Sequence, residues 1–129
     1  GNIAHLITLI AGSSRYYKGS IVSYANEVKE EVLGVCAEDL QEHGAVSEEV
    51  VKQMAEGARR ILKTDYAIAT SGIAGPLGGS EEKPVGTVWI AVAGERGCVA
   101  EKFFFNSTRD NFIERTSNQA ILMLLHQMR

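Results

Sequence analysis

The sequence is poor in the residues that usually announce chemistry. Its 129 residues include two cysteines, three histidines and two prolines. Cys36 and Cys98 lie far apart, and His5, His43 and His126 are equally scattered, so no zinc-type spacing exists. With so few cysteines the chain reads as intracellular and cytoplasmic, with reduced thiols. No apolar run reaches the roughly 20 residues that span a bilayer, so no membrane partner is expected. The formal net charge of −3 offers no general surface for nucleic acid, although a local phosphate site remains compatible with it. No Walker loop, dinucleotide fingerprint or Gly-x-Ser-x-Gly elbow is present. Lys83 precedes proline at the wrong spacing for the first. Gly72 and Gly75 have two residues between them, which breaks the second.

What the chain does have is glycine, thirteen in all, four of them in the stretch from Ser71 to Pro84 together with both prolines. Apolar runs flank that stretch, Tyr66–Thr70 before it and Val85–Ala93 after it. A long loop between two buried strands is uncommon unless it has a task. Glycine lets a ligand approach the backbone closely. The loop therefore reads as a binding loop that offers N–H groups to a small polar or anionic ligand.

The length and the hydrophobic fraction of 45% suit one soluble domain over residues 1–129. Ile3, Leu6, Ile7 and Ile10 predict a helix over 2–11, with Gly12 ending it. Ile21–Tyr24 reads as a short strand. Asn26 is the expected N-cap of a helix over 27–33 closed by Gly34. A helical turn is expected over 37–42. Ser47 caps a helix that runs to Lys63 with an apolar stripe from Val50 to Leu62. Strands follow at 66–70, 85–93 and 98–105, the last two joined by Gly94-Glu95-Arg96-Gly97 as an antiparallel hairpin. Ser107 and Asp110 suggest a capping box for a final helix ending near Gln127. The expected fold class is α/β, a three-layer sandwich with helices packed on a mixed central sheet.

Several strings are more specific than these patterns. They are Ile-Ala-Gly-Ser-Ser at 10–14, Ser-Tyr-Ala-Asn-Glu-Val-Lys at 23–29, His-Gly-Ala-Val-Ser-Glu-Glu-Val at 43–50, Ser-Gly-Ile-Ala-Gly-Pro at 71–76 and Gly-Gly-Ser-Glu-Glu-Lys-Pro-Val-Gly-Thr-Val at 78–88. Together they resemble the CinA carboxy-terminal domain family, the nicotinamide-nucleotide amidases. The resemblance covers nearly the whole chain. It implies hydrolysis of the carboxamide of nicotinamide mononucleotide to nicotinate mononucleotide and ammonia, without a metal or cofactor, by a serine-type amidase mechanism. It implies Tyr24 and Lys29 as the catalytic cluster. It also implies a substrate site of Asn26, Ser71, Gly72, Gly75, Gly78 and Gly79, with Arg109 and Arg115 for the phosphate.

Two departures qualify the resemblance. The family's Glu-Ser-Cys-Thr-Gly-Gly motif, whose serine is its nucleophile, would place that serine four residues upstream of Gly1, so the chain as written is expected to be inactive and to lack its amino-terminal segment. Asn106-Ser107-Thr108-Arg109 stands where the family often has Pro-Gly-Asp-Arg. An alternative is a non-catalytic nucleotide-binding or regulatory domain of the same family, and a third reading is a structural partner domain. Assembly into a homo-oligomer stays open.

Overall fold

The computed structural model describes all residues from Gly1 to Arg129. Its elements are α1 (Asn2–Thr8), a 3-10 turn (Ser13–Arg15), α2 (Asn26–Glu31), α3 (Ala37–His43), α4 (Glu48–Leu62), β1 (Ala67–Gly72), β2 (Thr87–Gly94), β3 (Gly97–Phe104) and α5 (Arg109–Gln127). The strands lie in sequence order, β1-β2-β3.

The alternation along β2 builds the three layers, because successive side chains of a strand point to opposite faces. Ala91 and Ala93 face α4, where Val50, Val51, Met54 and Ala55 pack with Leu33, Val35 and Leu40. Val88, Ile90 and Val92 face α5 and meet Phe112, Ala120 and Met123. Small residues on one face let α4 approach closely; large branched residues fill the space under α5. Ile90, Val50 and Val51 are all at 0% exposure, so both layers are closed over the central strand.

The α/β sandwich stands, but the sheet is antiparallel at both pairings rather than mixed. Ala67 pairs with Ala93 and Gly72 with Val88, while Thr87 pairs with Phe104 and Gly94 with Gly97. A mixed sheet would have needed another strand. The candidate, Ile21–Tyr24, has no ladder partner. Its Ser23 carbonyl accepts a hydrogen bond from Lys29 instead.

Three caps differ from expectation. The first helix ends at Thr8, whose hydroxyl turns back to the Ala4 carbonyl at 2.8 Å, and Ile10 is exposed. Asn26 is the first residue of α2, not its cap; Ala25 holds that position without a side-chain bond. At α5 the cap is Thr108 rather than Ser107, since the Thr108 carbonyl accepts the first helical bond from Phe112 at 2.8 Å. That register puts Phe112 into the core. The Thr108 hydroxyl binds the Asp110 carboxylate and holds its pKa below the ordinary value. Ser47 does cap α4: its oxygen accepts from the Val50 N–H at 3.3 Å, and its hydroxyl donates to the Gly44 carbonyl at 2.8 Å.

The cysteines are structurally unequal. Cys36 is exposed, whereas Cys98 is partly buried at the start of β3. Burial, with Glu56 adding to it and Lys52 opposing, pushes the Cys98 thiol up to about 11. Thiolate is the reactive form. At pH 8 Cys36 is therefore expected to alkylate well before Cys98, which intact-mass analysis of a timed iodoacetamide reaction would check; equal labelling would contradict the burial.

Candidate functional site

Lys29 is the least ordinary residue of the proposed site. It sits on a helix of six residues, yet the residue is only 6% exposed. A solvated helix charge, the ordinary expectation for such a lysine, does not describe it. The ammonium donates to the Ser23 carbonyl at 2.6 Å and has no carboxylate partner. Desolvation by burial lowers its pKa below the ordinary lysine value. A lysine in that condition supplies more neutral amine at physiological pH and can take a proton. Tyr24 lies on the extended segment just before α2, is 84% exposed and makes no hydrogen bond within the chain. Asn26 is exposed next to it.

Ser71 and Gly72 close β1, opposite Trp89 and Val88. Pairing continues past the strand end: Ile73 donates to the Thr87 carbonyl at 2.9 Å and Gly86 to the Ile73 carbonyl at 2.8 Å. The loop proper therefore runs between two joined roots. Gly72 has no room for a side chain, because a Cβ there would stand 2.8 Å from Val88 Cγ2 and 2.9 Å from Phe112 Cζ. Gly75 has left-handed backbone at φ +77, and a Cβ there would lie 2.3 Å from Val85 Cγ1.

Two long cations fasten this loop. Arg109 Nη1 donates to the Gly75 carbonyl at 2.9 Å. A cation in the first turn of α5 is unfavourable for the helix dipole, and this bond to the loop is its structural explanation. The Lys83 ammonium donates to the His43 carbonyl at the end of α3. Sequence reasoning did not assign Lys83 a role, since nothing in its neighbourhood points to a helix forty residues earlier. Between the fastenings, the N–H groups of Gly75, Gly78 and Gly79 donate to no acceptor of the chain. Gly78 and Gly79 are exposed, so those donors are open to an anion or a polar ligand.

Arg115 does not join the loop by any hydrogen bond. Its guanidinium stacks over the Phe105 ring at 4.5 Å, beside the Phe103–Phe105 and Phe105–Phe112 pairs. The structure thus joins Arg109 to Gly75 directly and fixes Lys29 to Ser23, while no hydrogen bond connects the Tyr24–Lys29 group with the loop. Two surface clefts, of about 420 and 600 Å³, contain none of these residues. Their linings are mostly polar, unlike the largely apolar walls of small-molecule pockets. No group of three or more His, Cys, Asp or Glu side chains is placed to hold a metal. No helix is long and apolar enough to cross a membrane.

The whole chain has close relatives. The model of the CinA C-terminal domain matches residues 1–128. A CinA-like protein of Endomicrobium trichonymphae is 48% identical over 99% of this chain, which spans 30% of that relative's length. The nicotinamide-nucleotide amidohydrolase PncC of Escherichia coli K12 is 48% identical over 98% of this chain and 78% of its own length. Among solved structures, the competence/damage inducible protein CihA of Agrobacterium tumefaciens superposes with a TM-score of 0.97 at 38% identity, covering 100% of this chain and 79% of that one. The chain therefore belongs to the CinA C-terminal domain family.

Proposed function

We propose that this domain hydrolyses the carboxamide of nicotinamide mononucleotide, giving nicotinate mononucleotide and ammonia. The observation that carries the reading is the buried Lys29 amine, uncompensated by any carboxylate and held by a backbone carbonyl. The name and 48% identity of the amidohydrolase relative support the substrate class.

An amide is a weak electrophile, so its attack needs an activated nucleophile and a donor for the oxyanion. Neutral Lys29 Nζ takes the proton of a serine hydroxyl as that oxygen attacks the carboxamide carbon. The resulting ammonium returns the proton to the nitrogen as the C–N bond breaks and ammonia leaves. Water then attacks the acyl ester by the same base, releasing the carboxylate. Tyr24, five residues before Lys29 on the extended segment that leads into α2 and free of other partners, relays or steadies that proton. Asn26 and the strand end at Ser71 and Gly72 hold the pyridine side of the substrate. Free N–H groups at the exposed Gly78 and Gly79 face the phosphate or the oxyanion, with Gly75 fixing the root of the loop and the remaining guanidinium donors of Arg109 and the charge of Arg115 completing the anion site.

The test supplies the serine. A chain carrying Glu-Ser-Cys-Thr-Gly ahead of Gly1 is expected to release ammonia from nicotinamide mononucleotide, and the same chain with that serine changed to alanine is not. Tight nucleotide binding by the folded protein with no ammonia release would leave the binding-domain reading in its place.

A further inference from the structure

Lys29 sits near the end of a helix whose exit turn is gripped from outside. With six residues, α2 is too short to hold its own shape in water. Its exit turn carries the burden: Leu33 and Val35 are 3% and 4% exposed, and Gly34 between them has φ +75. The Val35 N–H donates to the Lys29 carbonyl at 3.0 Å, which ties that turn to the lysine backbone itself.

Helix α4 receives the turn at Gly57. A Cβ on Gly57 would lie 2.0 Å from the Leu33 carbonyl oxygen and 2.9 Å from its carbon. Both obstructing atoms are backbone, so no rotamer change can make room. One turn of α4 further on, Arg60 reaches over and donates Nη2 to the same Leu33 carbonyl at 3.3 Å. A side chain at Gly34 would collide with that guanidinium, 2.9 Å away. Notch and hook thus converge on one peptide group, four residues after Lys29.

We infer that Gly57 and Arg60 are positioning residues for Lys29: the glycine notch of α4 and the Arg60 hook seat the α2 exit turn and thereby keep the Lys29 amine buried against the Ser23 carbonyl. The inference rests on Lys29 being the proton-handling amine of the proposed reaction. Its physical content is separate, because it concerns where the amine sits and not what it does. The lowered Lys29 pKa is the observable that reports the seat.

The experiment follows the Lys29 titration by NMR in the 129-residue chain labelled with 13C at lysine Cε, assigned with Lys29→Met. Wild-type Lys29 is expected to titrate below the exposed lysines. Gly57→Ala must lift the exit turn from α4 and admit water to the amine, so the Lys29 midpoint should rise towards the exposed lysines while the protein still melts cooperatively. Met123→Ala, a cavity in the opposite layer, is expected to lower the melting temperature and leave the Lys29 midpoint unmoved. If Gly57→Ala does not fold, Arg60→Met decides on the same criterion, since it removes the hook and adds no bulk. An unmoved midpoint in the folded variant, an equal rise in Met123→Ala, or a wild-type Lys29 that titrates like the exposed lysines would each overturn the inference. None of these outcomes depends on turnover, so failure of the amidase reading shows separately, as absent ammonia release.

Discussion

Lys29→Met, in a chain that carries the nucleophilic serine, is expected to lose amide hydrolysis by a factor of about 10³ or more, since general-base contributions run to about 10⁴. Methionine keeps the length and apolar body of the lysine stem and removes only the proton-handling atom. The Ser23 carbonyl would then lack its 2.6 Å donor, a loss of about 1–3 kcal/mol where such a group stays dry. Removing a buried, unpaired charge works in the opposite direction. The two effects offset, so the variant should fold with nearly the wild-type urea midpoint. A steady-state assay of ammonia release beside a urea titration reads both. Activity within tenfold of wild type would remove Lys29 from the mechanism.

The same pair of proteins gives a pH test of the burial. Lys29 has its pKa lowered in the folded state from 10.5. Between the folded value and 10.5 the unfolded chain binds the proton and the folded chain does not. Stability then rises with pH across that window. Below it, both states are protonated and the full cost of burying the charge is present. Cys98 acts with the reverse sign, because its folded pKa is raised from 9.0 to about 11 and its contribution falls as pH climbs through that range. The wild-type curve alone would mix the two. The difference between wild type and Lys29→Met cancels Cys98 and should move in favour of wild type as pH increases. A flat difference would mean that Lys29 is solvated.

Ser47, followed by two acidic residues and an apolar stripe, was sufficient to fix α4 and its cap, because the information is local. The hairpin around Gly94 and Gly97 was equally local. Ile21–Tyr24 has the composition of a strand, but a strand needs a neighbour, and composition does not say whether one exists. Thr108 replaced Ser107 as the α5 cap because burial of Phe112 chose the register, a tertiary matter. In the site, the glycine loop was legible from composition, whereas the resemblance supplied Lys29, which the patterns alone favoured as an exposed lysine. Burial of Lys29 depends on Leu33, Gly57 and Arg60 meeting across 27 positions of chain, and no periodicity records that. Lys83 and His43 meet across 40 positions for the same reason. Gly75 was legible as a backbone requirement, but its partner Val85 was not.

That partner makes Gly75→Ala the other large effect expected. Two separate costs arise. Alanine at φ +77 occupies left-handed backbone, which disfavours any Cβ by roughly 1–2 kcal/mol. The new methyl would also stand 2.3 Å from Val85 Cγ1, far inside contact distance, so the loop must shift or Val85 must turn. Either movement displaces the Gly75 carbonyl from Arg109 Nη1, now at 2.9 Å, and frees the loop at its α5 end. Both core layers lie beyond this corner, so the domain should still melt cooperatively, with a loss of about 2–3 kcal/mol. Nucleotide affinity should fall by at least tenfold, as the donors at Gly78 and Gly79 lose their fixed root. Adding Val85→Ala separates the causes: it removes the collision and leaves the backbone strain. Partial recovery of affinity in the double variant, measured by calorimetric titration with nicotinamide mononucleotide, is the expected result. Unchanged affinity in Gly75→Ala would make the loop a structural connection and move the anion site away from it.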